Sequence, residues 1–174
     1  GTARFEDMYF KYAYTAYYQK DYLNAENLFK SFAETFPNGL KAEEAEYMRP
    51  YSFYKQSPKV ELDQSATLKG ISLMQAFINQ HPNSSRVKEA SQIIDIGRQK
   101  LEEKEFRSAE LYYNLGYYRA AAIAYTILME NYPDSQRADE YKLNVIRSYY
   151  RFAEMSIAER QQERFEKVLE EVQD

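Results

Sequence analysis

Tyr118-Arg-Ala-Ala-Ala-Ile-Ala-Tyr125-Thr-Ile-Leu-Met-Glu-Asn-Tyr132-Pro133 is the stretch on which the fold turns, because its spacing occurs earlier in the same chain. Ala121 precedes Tyr125 by four residues and Pro133 by twelve, and Ala25, Phe29 and Pro37 repeat those offsets. Gly70, Met74 and Pro82 form a looser third copy. A small residue lets a neighbouring helix approach, a large side chain one turn on fills the space beside it, and the proline ends the helix. Twelve residues before Ala25 stands Ala13, and twelve before Ala121 stands Ala109, each a small residue on the preceding helix. The spacing predicts tandem helical hairpins of the tetratricopeptide kind.

Periodic apolar positions predict helices over 4–19, 22–36, 40–56, 63–82, 85–115, 118–133, 136–153 and 157–172. They pair as hairpins over roughly 4–37, 40–82, 85–133 and 136–172. The expectation is an all-α, tetratricopeptide-like α-solenoid of about four helical hairpins, forming a single superhelical domain over 1–174 with one unusually long helix. Pro50 falls inside the third helix, where it removes one intrahelical hydrogen bond and bends the axis near Glu46. The proline intervals from Pro37 to Pro82 and from Pro82 to Pro133 exceed one repeat. The first is explained by an insertion, Gln56-Ser-Pro58-Lys-Val-Glu-Leu62, and the second by the helix over 85–115, which Gly97 could bend and Gly116 caps. The last helix carries the dense charge expected of a terminal cap.

Composition excludes several classes. A net charge of −4 without a basic stripe argues against nucleic acid. With no cysteine there is no thiolate metal site, and no cofactor or metal is expected. The lone histidine, His81, stands at a helix end and reads as a turn residue, while Glu43, Glu44 and Glu46, and Glu102, Glu103 and Glu105, read as solvated helical faces. No catalytic residue emerges, so the chain reads as a binding scaffold and not an enzyme. Eighteen tyrosines and no tryptophan suit a surface that is both apolar and hydrogen bonding. Phe10, Tyr14, Tyr17 and Tyr18 on the first helix and Tyr47, Tyr51 and Tyr54 on the third are the candidate groove for an extended peptide. Packing of these tyrosines against a preceding repeat is the alternative.

Three stretches resemble one family. They are Glu46-Tyr-Met-Arg49 followed by an insertion containing Asp63 and closed by His81-Pro-Asn-Ser84; Arg98-x-x-Leu101-x-x-x-Glu105-x-x-x-Ala109-x-x-Tyr112-Tyr113; and Tyr118-x-Ala120-Ala121 through Tyr132-Pro-Asp-Ser135. In this order they resemble the BamD (YfiO, ComL) outer-membrane assembly lipoproteins, with the chain corresponding to the second through fifth repeats. The resemblance implies a periplasm-facing scaffold of the outer-membrane β-barrel assembly machinery, anchored by a lipid that this chain lacks. Its implied partners are a POTRA domain of BamA, other assembly-machine subunits and unfolded outer-membrane proteins. Arg98, Glu102, Tyr113 and Arg147 are the implied BamA-side residues. The alternative is a soluble periplasmic tetratricopeptide adaptor of the envelope-division, Tol-Pal type.

Overall fold

The computed structural model describes residues 2–173, and those residues form eight helices and no strand. They are α1 (Thr2–Tyr18), α2 (Tyr22–Thr35), α3 (Ala42–Gln56), α4 (Ser65–Gln80), α5 (Val87–Asn114), α6 (Tyr118–Asn131), α7 (Ala138–Glu154) and α8 (Ala158–Gln173). The all-α, tetratricopeptide-like architecture follows, with neighbouring helices packed in succession and α5, at 28 residues, the longest. Contacts divide the chain into two compact units, Gly1–Leu101 and Glu102–Asp174, so that α5 contributes its first half to one and its second half to the other.

In the first unit the spacing of small and large residues does what the sequence demands. Ala13 and Ala25 are fully buried, and Phe29 and Phe32 occupy the space beside them. Each phenylalanine removed from water contributes about 1.5–3 kcal/mol. Tyr47, Met74, Phe77, Ala90 and Ile93 extend this core through α3, α4 and α5. The second unit builds its own core from Phe106, Ala109, Ala121, Tyr125, Leu128, Tyr141 and Val145.

Pro37 and Pro133 are 96 residues apart, and the same register aligns Phe10 with Phe106 and Ala25 with Ala121. It also aligns the helix ends. Gly116 adopts φ +81, letting Tyr117 N–H donate to Tyr112 O at 2.9 Å. Lys20, its counterpart, is forced to φ 63 so that Asp21 N–H can donate to Ala16 O at 3.0 Å. Asp21 then caps α2 by accepting from Asn24 N–H at 3.2 Å.

One helix start shifts, and other local features gain partners. Leu40 lies in the turn before α3 and is 104% exposed, because Gly39 and Lys41 set the helix start at Ala42. α3 is helical on both sides of Pro50, as the range 40–56 anticipates. Gly97 serves close approach: a Cβ there would meet Ile71 Cδ1 at 2.8 Å. The insertion after Gln56 is latched into the unit. Gln64, 4% exposed, donates from Nε2 to Lys59 O at 2.7 Å and Leu62 O at 3.1 Å, and accepts from Thr67 Oγ1 at 2.7 Å. Thr67 also bonds Ser57 Oγ at 2.6 Å, and Lys100 donates to Ser57 Oγ at 2.6 Å and Pro58 O at 3.0 Å.

Candidate functional site

The aromatic residues of α1 and α3 form a connected track in the first unit. Phe10 meets Tyr14 at 5.0 Å between ring centroids, Tyr14 meets Tyr18 at 5.8 Å, and Tyr17 meets Tyr18 at 5.6 Å, Tyr22 at 5.5 Å and Tyr51 at 6.1 Å. Tyr51 continues to Tyr54 at 5.7 Å, and Lys55 Nζ stands 5.2 Å from the Tyr51 ring centre. Edge and tilted arrangements at these separations are the favourable ones for ring quadrupoles. Tyr18 is 74% exposed, whereas Phe10, Tyr14, Tyr17, Tyr51 and Tyr54 are half-buried against the core. Tyr47 is 1% exposed and belongs to the core, so its ring offers nothing to a ligand.

Burial raises three of these phenols. Desolvation, followed by neighbouring tyrosines, pushes Tyr17 up to about 12. Burial and the hydrogen bond to Glu44, 2.7 Å from its hydroxyl, raise Tyr14 well above the phenol range. Tyr47 rises for the same first reason, with the Glu89 carboxylate beside it, although its hydroxyl has no hydrogen bond of ordinary geometry. Tyr14 and Tyr17 therefore present neutral hydroxyls to the track at physiological pH.

The glutamate runs are not the wet faces that their composition suggests. Glu43 accepts from Ser84 at 2.6 Å, Glu44 from Tyr14 and Arg86, and Glu46 pairs with His81. Glu102 accepts from Ser135 and from Tyr141 at 2.7 Å, Glu103 pairs with Arg107 and Arg137, and Glu105 accepts from Asn131 at 3.1 Å. His81 likewise has partners: it sits between Glu46 and the Phe77 ring, 5.1 Å away, and fastens the end of α4 to α3.

These contacts include a recurring clamp, in which a cation just before or at the start of one helix reaches back to an acid and an aromatic. Lys41 Nζ lies 2.5 Å from Asp7 and 4.9 Å from the Phe10 ring centre. Arg86 lies 2.8 Å from Glu44 and 4.8 Å from the Tyr47 ring, and Arg137 lies 2.9 Å from Glu103 and 3.9 Å from the Phe106 ring. In each case the acid stands three residues before the aromatic, so both project from one face of a helix. The signal was present in the sequence as Asp7-x-x-Phe10, Glu44-x-x-Tyr47 and Glu103-x-x-Phe106.

Of the four residues implied for a partner surface, Arg98 is in the first unit and Glu102, Tyr113 and Arg147 are in the second. Arg98 and Arg147 are exposed. Glu102 is held by Ser135 and Tyr141, and Tyr113 packs edge-on to Tyr118 at 5.2 Å. Among the described residues no group of three or more acids or histidines is arranged to hold a metal ion, and no helix is long and apolar enough to cross a membrane.

The chain is 27% identical over 120 residues to a protein of Aquifex aeolicus (strain VF5) described as a putative outer membrane protein assembly factor BamD. That alignment covers 69% of this chain and 39% of the relative, so the chain matches about two fifths of the relative's length. The model of the YfiO family, described as outer membrane lipoprotein, matches residues 2–165. A match running from α1 into α8 takes in both cores, the latched insertion and the long helix, and the chain therefore belongs to the YfiO outer membrane lipoprotein family.

Proposed function

We propose that this chain is a noncatalytic scaffold in the assembly of outer-membrane β-barrel proteins, the partner-binding part of a lipid-anchored protein at the periplasmic face. The family match over residues 2–165 carries this reading. The partners are a POTRA domain of BamA, further subunits of the assembly machinery and unfolded outer-membrane proteins. The membrane is reached only through the lipid anchor, and nucleic acid is not a partner.

Different residues carry the two kinds of contact. Arg98, Tyr113 and Arg147 face BamA, with Glu102 shaping the surface through Ser135 and Tyr141. Tyr14, Tyr17, Tyr18, Tyr51 and Tyr54, with Phe10 beneath them, receive unfolded barrel segments. Tyrosine side chains suit such clients, because they stack on apolar side chains and hydrogen bond to exposed main chain. Changing Tyr18 and Tyr54 together to alanine should weaken binding of a urea-diluted unfolded barrel protein by roughly tenfold or more, read by fluorescence anisotropy. Unchanged affinity with an unchanged far-UV spectrum would remove the track from the function.

A further inference from the structure

We propose that the pocket lined by α2, α3 and α4 is a second docking site of the first unit, which takes an uncharged apolar side chain together with the adjoining main-chain amide of a partner polypeptide. The pocket measures about 220 Å³ and is floored by Phe29, Leu73 and Phe77. No residue of the aromatic track lines it.

The internal repeat shows that something other than packing shapes this place. At the register 96 residues on from Glu26 and Arg49 stand Ala122 and Val145, 0% and 1% exposed, as ordinary core. In the first unit the same positions hold an ion pair, Arg49 Nε to Glu26 Oε2 at 3.5 Å, with Glu26 only 8% exposed. Both atoms are buried without a hydrogen bond. Natural interiors seldom leave such atoms unsatisfied, and a dry apolar pair is the cheaper solution that this chain itself uses elsewhere. Departures of this kind concentrate at functional sites.

The chemistry of the walls selects the occupant. Arg49 lines the pocket, and the hydrogen bonds of the described residues give its terminal nitrogens no acceptor. Pro50 has no N–H, so the main-chain carbonyl of Glu46, another lining residue, lacks its helical donor. One donor group and one acceptor group are what a peptide amide requires. Lys30 pairs with Glu34 at 3.9 Å and Arg49 with Glu26, while Glu46 adds a further carboxylate that no lysine or arginine of the described residues offsets, so the walls carry an excess of negative charge and favour a neutral ligand over a carboxylate.

The test uses the whole chain, isotopically labelled, titrated with N-acetylphenylalanine amide and separately with N-acetylphenylalanine. The neutral probe should shift the amide resonances of Ala33, Ala76 and Phe77 saturably in the millimolar range expected for a molecule of its size, and the acid should bind at least about tenfold more weakly. Ala76→Phe, on an exposed helical position, should block the pocket and abolish the response while leaving the far-UV spectrum intact. Replacing the pair as Glu26→Ala with Arg49→Val, the residues of the second unit, should keep or raise the melting temperature and abolish the response. Absence of saturable shifts with the neutral probe, tighter binding of the acid, or a response that survives Ala76→Phe would each overturn the proposal.

Discussion

Arg137→Ala tests whether the recurring clamp is a determinant of stability. The guanidinium lies 3.9 Å from the Phe106 ring centre and 5.4 Å from that of Tyr141, and it pairs with Glu103 at 2.9 Å and Glu140 at 2.8 Å. Stacking of a partly desolvated guanidinium on an aromatic is worth about 1 kcal/mol. The two ion pairs, with the arginine side chain 36% exposed, add about 0.3–0.5 kcal/mol each after solvent screening. The loss should total about 1.5–2 kcal/mol, and Arg137→Lys should recover the charge but little of the planar stacking. Urea denaturation followed by far-UV circular dichroism and tyrosine emission reads the change, since the chain has no tryptophan. Glu103 provides an independent check. The guanidiniums of Arg107 and Arg137 hold its carboxyl below the usual range, Arg107 being the larger influence. A depressed native value means that its stabilisation is fully present above the ordinary glutamate range and is lost as pH falls through the lowered value. The gap between native protein and Arg137→Ala should therefore narrow in acid. A loss below about 0.5 kcal/mol, or a gap that does not narrow in acid, would refute the clamp as a stabilising device.

Three further outcomes follow from the geometry. Lys20→Gly should stabilise the chain by about 1 kcal/mol in a thermal or urea melt, because φ 63 is strained for lysine and free for glycine. Gln64→Ala should cost about 1–3 kcal/mol and release residues 57–64 to rapid amide exchange, since it leaves two part-buried bonds to the Lys59 and Leu62 carbonyls and the buried Thr67 hydroxyl bond unmade. The Asp7 carboxyl, drawn down to about 2 by hydrogen bonds to Lys11 and then Lys41, should titrate there by carbon NMR and move upward in Lys41→Ala. Its contribution is present above the unfolded carboxylate value and disappears as pH falls through about 2.

Helix number, order and pairing were legible because they depend on local periodicity and on small residues at fixed offsets, as with Ala13 and Ala25 or Ala109 and Ala121. What escaped depends on partners far along the chain. Glu44 looks solvated beside its neighbours and is fixed by Arg86, 42 residues on. Gln64 stands at the start of the helix expected over 63–82, yet its side chain turns back on Lys59 and Leu62 and, with Thr67, anchors the insertion. Gly97 was read as a place for a bend, and its close approach to Ile71 on another helix had no local signal. Tyr47 was indistinguishable by composition from Tyr51, but the core closes over only one of them. The Glu26–Arg49 pair became conspicuous only beside its apolar counterpart in the second unit.

The most direct measurement is recovery of partners from solubilised envelopes with the tagged protein as bait. The account predicts that a BamA-type barrel protein with periplasmic POTRA domains co-purifies, and that Arg98→Glu depletes it while leaving the far-UV spectrum unchanged. Recovery of envelope-division proteins in its place, with no barrel-assembly subunit, would contradict the account.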